Sequence, residues 1–199
     1  MAPKKIAALR EWLRLSATLR ARDPDRRGFK FKCYQGFVLA YGRSYESAPF
    51  DARERALVQQ LLREHRAFCE RGFRYKACFA NSQELSAWDQ TGQVVYVEGY
   101  VWAYGDRLHP VHHGWLTLHG KVLDVTVVPS AIAHPKKLPP EPLQVHGEFK
   151  GRVYFGVPFL RSHFRERSRL NLGHGSLLGE DRVGYPRLRY GGAGPVRRR

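Results

Sequence analysis

Apolar residues between positions 4 and 20 fall at Ile6, Leu9, Trp12/Leu13 and Ser16/Ala17, with Arg10, Arg14 and Arg20 around them. Recurrence every three or four residues is the period of a helix with one buried side, so this stretch is predicted as an amphipathic helix. It should end before Arg22-Asp-Pro-Asp-Arg26, and its apolar face should dock on the rest of the chain. The same period returns after Asp51, a candidate N-cap: Leu57/Val58, Leu61/Leu62, His65 and Phe68/Cys69 line one side, and Gly72 closes the helix. A further helical stretch runs over Phe73–Leu85, beginning near Tyr75 or Lys76, with Cys78 close to its start. Residues 31–50, rich in aromatics and glycine, read as irregular chain or short strands.

From Val94 the period becomes two. Val94, Tyr96, Glu98, Tyr100 and Trp102 alternate with Val95, Val97, Gly99, Val101 and Ala103, which predicts a strand over Val94–Tyr104. His113–Leu118 and Val122–Val128 read as two more strands joined tightly through His119-Gly120, and Val153–Val157 as a last short one. Pro-rich residues 135–142 read as a loop. The order is helix, cysteine-bearing helix, then strands bearing histidine and aspartate. It predicts an α+β architecture in which the cysteine-bearing helix packs on an antiparallel sheet. No internal repeat is present.

A chain of 199 residues can bury a substantial single core. The net charge of +16 divides it further, because the excess sits at the ends. Residues 1–30 hold nine Lys/Arg against three acids and residues 161–199 ten against three, which leaves only +3 for the middle. The expected organisation is a basic N-terminal helix and linker (1–30), a folded domain (31–160), and a loosely ordered Arg/Gly-rich tail (161–199). The basic ends could hold a polyanion such as nucleic acid, though no recognition motif accompanies them. No apolar run approaches the roughly 20 residues of a membrane span, and no secretory signal pattern is present, so the expectation is a cytoplasmic protein.

Cys33, Cys69 and Cys78 make neither an even disulfide framework nor a Cys-x-x-Cys pair, so at least one thiol should be free. Thiol chemistry needs a thiolate, a base to generate it, and a third group to hold the base. Cys78 alone lies near a helix start, where the positive end of the dipole favours an anion; Cys69 lies late in a helix and Cys33 in a loop or strand. The hairpin supplies the base. If His119-Gly120 is a two-residue turn, Leu116 pairs with Leu123 and Trp115 with Asp124, so His113, Trp115 and Asp124 share one face and His112 takes the other. A three-residue turn would exchange the histidines.

Cys78-Phe-x-Asn81, Tyr96-Val-Glu98-Gly99-Tyr100, His113-Gly-Trp115, Gly120-x-Val-x-Asp124-x-Thr126 and Tyr154-Phe-Gly-Val-Pro158 resemble a bacterial and phage family of uncharacterised proteins. That family is itself similar to the papain-like and transglutaminase-like cysteine enzymes. The resemblance spans about residues 72–160 and implies a papain-like/transglutaminase-like core with cysteine on a helix, then histidine and aspartate on adjacent strands. His113-Gly-Trp115 departs from the commoner His-Ala-Trp, and Asp124-Val-Thr126 from Asp-Pro-Thr. The implied triad is Cys78, His113 and Asp124. An oxyanion would meet the Cys78 N–H plus a side-chain donor, for which Gln35 and Asn81 are candidates because position 72 is glycine. Trp115 should flank the groove, and Glu98 is either buried against Arg or Lys or lines the cleft.

His109, His112, His113 and His119 crowd one region but lack a fourth ligand and any zinc-site spacing, so no metal and no cofactor are expected. The function expected is thiol-dependent acyl transfer on a protein or peptide-like amide: peptidase, amidase, deamidase or transglutaminase-like. The alternative is a non-catalytic basic protein that binds a polyanion.

Overall fold

The structure, a computed structural model, describes residues 2–21, 26–68, 77–103, 109–126, 152–163, 175–179 and 186–190. Its elements in chain order are α1 (Ala2–Arg20), α2 (Tyr34–Tyr41), β1 (Arg43–Tyr45), α3 (Ala52–Phe68), α4 (Cys78–Trp88), β2 (Val94–Ala103), β3 (Val111–Leu118), β4 (Lys121–Leu123), β5 (Arg152–Phe159) and α5 (Pro186–Tyr190). The architecture is mixed α+β. The strands form one antiparallel sheet in the order β1-β5-β2-β3-β4. Just past β1, the Glu46 N–H donates to Gly120 O (3.2 Å) and Glu46 O accepts from Val122 N–H (2.8 Å), so the two outer strands approach each other. The sheet is therefore curled.

Alternation along the strands separates two cores. Tyr96 and Tyr100 of β2, Leu116 and Leu118 of β3, and Phe155 and Phe159 of β5 face the helices, where they join Leu9 and Leu13 of α1, Phe37 of α2, Leu61 of α3 and Leu85 of α4. Inside the curl lies a smaller cluster of Tyr45, Val97, Trp115, Val122 and Tyr154. No helix among the described residues is long and apolar enough to cross a membrane.

The hairpin between β3 and β4 turns on His119 (φ 53°) and Gly120 (φ 86°), both left-handed, as a type I′ turn requires. Its register is Leu116↔Leu123, Thr117↔Val122, Leu118↔Lys121. Glu54 anchors the turn. It exchanges hydrogen bonds with Asp51 at the start of α3 (both 2.8 Å) and also meets Lys121 Nζ at 2.7 Å and His119 Nδ1 at 3.2 Å.

Two sequence expectations need correction. Within 31–50, Tyr34–Tyr41 is a helix whose first turn is capped by Cys33, with Sγ accepting from Gly36 N–H (3.4 Å). Packing against α1 and β5 overrides the weak local preference of an aromatic, glycine-containing run. The N-terminal helix docks on the rest of the chain as expected, with Leu9 and Leu13 fully buried in the main core. Beyond 160, where a loosely ordered tail was expected, the described Leu177, Leu178 and Leu188 are fully buried. Two of its arginines have structural partners, Arg161 donating to Asp89 O (2.6 Å) at the end of α4 and Arg189 lying 4.9 Å over the Phe29 ring. The expected loop at 135–142, the Gly72 helix end, and Cys69 lie outside the described residues.

Candidate functional site

Helix α4 begins at Cys78 itself, not a turn earlier at Tyr75 or Lys76 as expected; Lys76 lies outside the described residues. Ala77 is the N-cap and offers no side-chain acceptor; the first intrahelical bond runs from Asn81 N–H to Ala77 O (2.8 Å). The thiol thus sits at the positive end of the helix, where the leading N–H groups have no partner within the helix.

The helix is seated on Gly114. A Cβ there would lie 2.8 Å from Phe79 Cδ1 and 3.2 Å from Phe79 Cα, so glycine is what lets β3 and α4 approach so closely. Ser82 Oγ–H donates to Gly114 O (3.1 Å) across the same contact. This contact is on the helix-facing side of the sheet, whereas His113 points into the curl. Strand β4 pairs with β3 only at 116–118, which leaves His113 beside an edge that β4 does not cover. The Cys78 sulfur lies close enough to the His113 ring to help favour its protonated form. Helix α4 therefore covers the face of β3 opposite the one that bears His113 and Trp115.

His113 Nε2 meets Asp124 Oδ2 at 2.8 Å. That occupies one ring nitrogen and leaves Nδ1 for the thiol. Asp124, buried just after β4, accepts at Oδ1 from the Thr126 N–H (3.1 Å) and at Oδ2 from the Tyr154 O–H (3.2 Å). Asn81, one turn beyond Cys78, donates from Nδ2 to Thr126 Oγ1 (3.2 Å), tying the thiol's helix to the aspartate's turn. His113 stacks on Trp115, with rings 6.3 Å apart and 15° from parallel.

Burial by itself would disfavour the imidazolium. The charge and hydrogen bond of Asp124, aided by the neighbouring Cys78 sulfur, outweigh it and hold His113 up to about 10. The histidine side chain is 14% exposed, so this pairing is only partly reached by water.

The other sequence candidates are placed as follows. Trp115 is fully buried inside the curl and flanks no opening; it supports the His113 ring from below. Asn81 is buried and bonded to Thr126. Gln35 is buried in the first turn of α2. Among the described residues, Glu98 neither lines the cleft nor meets Arg or Lys. Fully buried on the helix-facing side, it accepts from Tyr96 O–H (3.0 Å), Ser176 O–H, Leu177 N–H (2.7 Å) and Leu178 N–H (3.1 Å). His112 Nε2 is 3.0 Å from Glu98 Oε1, a charge-pair distance off the axis of a directed hydrogen bond, and its ring lies between those of Tyr34 and Tyr100. Cys33 is a buried helix cap. His109 is exposed, His119 serves the hairpin turn, and no group of three His, Cys, Asp or Glu gathers among the described residues.

Sequence reasoning missed Tyr154, Thr126 and Gly114 as parts of this constellation. Only the alternation of β5 could have pointed to Tyr154, by putting it on one face with Gly156 and Pro158, and nothing local told which face. No family model, no curated protein and no solved structure matches the chain.

Proposed function

We propose that this chain is a thiol-dependent acyl-transfer enzyme of the papain-like/transglutaminase-like kind, acting on a protein or peptide-like amide. The observation that carries this reading is the line Asp124–His113–Cys78. One imidazole nitrogen is taken by a buried carboxylate, the other is left to a thiol, and that thiol heads a helix without a side-chain cap. In the reaction, His113 rests as the imidazolium beside the Cys78 sulfur, and that sulfur, as the thiolate, attacks the carbonyl carbon. The resulting oxyanion meets the leading N–H groups of α4. Collapse breaks the C–N bond, and the imidazolium returns its proton to the departing amine. Water or a second amine then attacks the thioester, with His113 taking its proton, and the thiolate is regenerated. Asp124 holds the imidazole's orientation throughout.

The test is brief iodoacetamide treatment at pH 7 followed by peptide mass spectrometry. Cys78 should label roughly tenfold faster than Cys33 or Cys69. His113→Asn should bring its rate down to theirs, although access to the sulfur is unchanged. Equal labelling of all three thiols, or protection of Cys78 alone, would overturn the reading in favour of a basic polyanion-binding protein.

A further inference from the structure

The buried residue Tyr154 lies outside the three reacting groups, yet its hydroxyl reaches one of them. Tyr154 comes from β5, two strands away from β3, and is fully buried inside the curl. Its O–H donates to Asp124 Oδ2, the same oxygen that His113 Nε2 addresses (3.2 and 2.8 Å). Its own oxygen accepts from Arg152, two residues along the same strand face. Guanidinium, phenol, carboxylate and imidazole thus form one chain of hydrogen bonds, each link polarising the next.

We propose that Tyr154 is a positioning residue of the triad: with Arg152 behind it, it fixes the Asp124 carboxylate and shares its charge, and so limits how strongly that carboxylate retains the His113 proton. This rests on the acyl-transfer reading for its purpose, though not for its geometry. A carboxylate accepting only from His113 would hold the imidazolium too tightly to let it protonate a leaving amine. A second donor on the same oxygen draws part of that charge away. Burial, followed by the Asp124 charge, keeps the Tyr154 phenol well above its ordinary range, so it remains an O–H donor wherever the triad works. Thr126 N–H on the other oxygen completes the clamp and prevents the carboxylate from rotating.

Three variants test it: Tyr154→Phe, Arg152→Gln and Tyr45→Phe. The last deletes a buried hydroxyl from the same cluster, but one that accepts from Arg43 Nε (3.1 Å) and does not contact Asp124. Two quantities are read on the full chain: the His113 titration midpoint by NMR of the labelled ring, and the iodoacetamide rate at Cys78. Tyr154→Phe should raise the midpoint by about 0.5–1 pH unit and change the Cys78 rate by roughly two- to tenfold. Arg152→Gln should move the midpoint in the same direction by less, and Tyr45→Phe should move neither quantity. An unchanged midpoint in folded Tyr154→Phe overturns the proposal, as does an equal shift in Tyr45→Phe. If Tyr154→Phe fails to fold, Arg152→Gln decides, and no shift there overturns it. The acyl-transfer reading fails separately: a slow wild-type Cys78 would refute it while the midpoint shift still reported the Tyr154 coupling.

Discussion

Replacing Gly114 with alanine tests whether the approach of α4 to β3 sets the geometry of the thiol. Gly114 lies outside the left-handed region, so alanine meets no backbone objection and the whole effect must come from contact. The new Cβ would lie 2.8 Å from Phe79 Cδ1, 3.1 Å from Tyr96 Oη and 3.2 Å from Phe79 Cα. The Phe79 ring can turn aside, but Phe79 Cα belongs to the backbone of α4. Restoring a separation of about 3.5–4.0 Å there moves the helix start outward by roughly 0.3–0.8 Å. Overpacking of this kind costs about 1–3 kcal/mol. For a chain of this size that is a melting point lower by roughly 2–12 °C. Cys78 precedes Phe79 and moves with it, so its alkylation should slow severalfold, because reacting groups are sensitive to displacements well below 1 Å. Gly36→Ala is the contrast. Its Cβ meets only ordinary contacts, the nearest 3.8 Å away, inside α2, so it should leave the thiol's rate unchanged and raise stability by up to about 1 kcal/mol. The assays are thermal unfolding by circular dichroism and the initial iodoacetamide rate at Cys78. A Gly114→Ala protein that melts and labels like the wild type would refute the seating of α4 on Gly114.

Glu98→Gln should destabilise the fold by about 3–5 kcal/mol in urea, because an amide cannot accept from every donor that converges on this buried carboxylate; a loss below about 1 kcal/mol would contradict the anchoring role assigned to it. Burial opposes ionisation of Glu98, but His112, Ser176 and Leu177 prevail and lower its pKa, so its share of stability is present above the ordinary carboxylate range and lost as pH falls through its lowered value. His113 has the opposite sign. Raised from 6.5 to about 10, it contributes stability that is complete below 6.5 and lost as pH rises through about 10. The urea-midpoint difference between wild type and His113→Asn should therefore shrink between pH 6 and pH 10, and a constant difference would argue against the Asp124–His113 ion pair.

What the sequence by itself determined was local. The periods of three to four and of two placed α1, α3 and β2, because a helix or strand with one buried side must repeat its apolar positions at the backbone's own period. His119-Gly120 determined more than a turn. With two left-handed residues the register follows, and the register places His113 and Asp124 on one face without any knowledge of the rest of the molecule. Only the tertiary structure decided which side of β3 the cysteine helix covers, since Gly114 and Phe79 are far apart in sequence and neither signals the other. It also decided that Tyr34–Tyr41 is helical and that Leu177 and Leu178 belong to the core, where their backbone N–H groups end on Glu98. Trp115 and Glu98 have the same origin. On a strand, alternation assigns a side chain to one of two faces, but whether that face meets helices, solvent or the inside of a curl depends on how distant strands close around it.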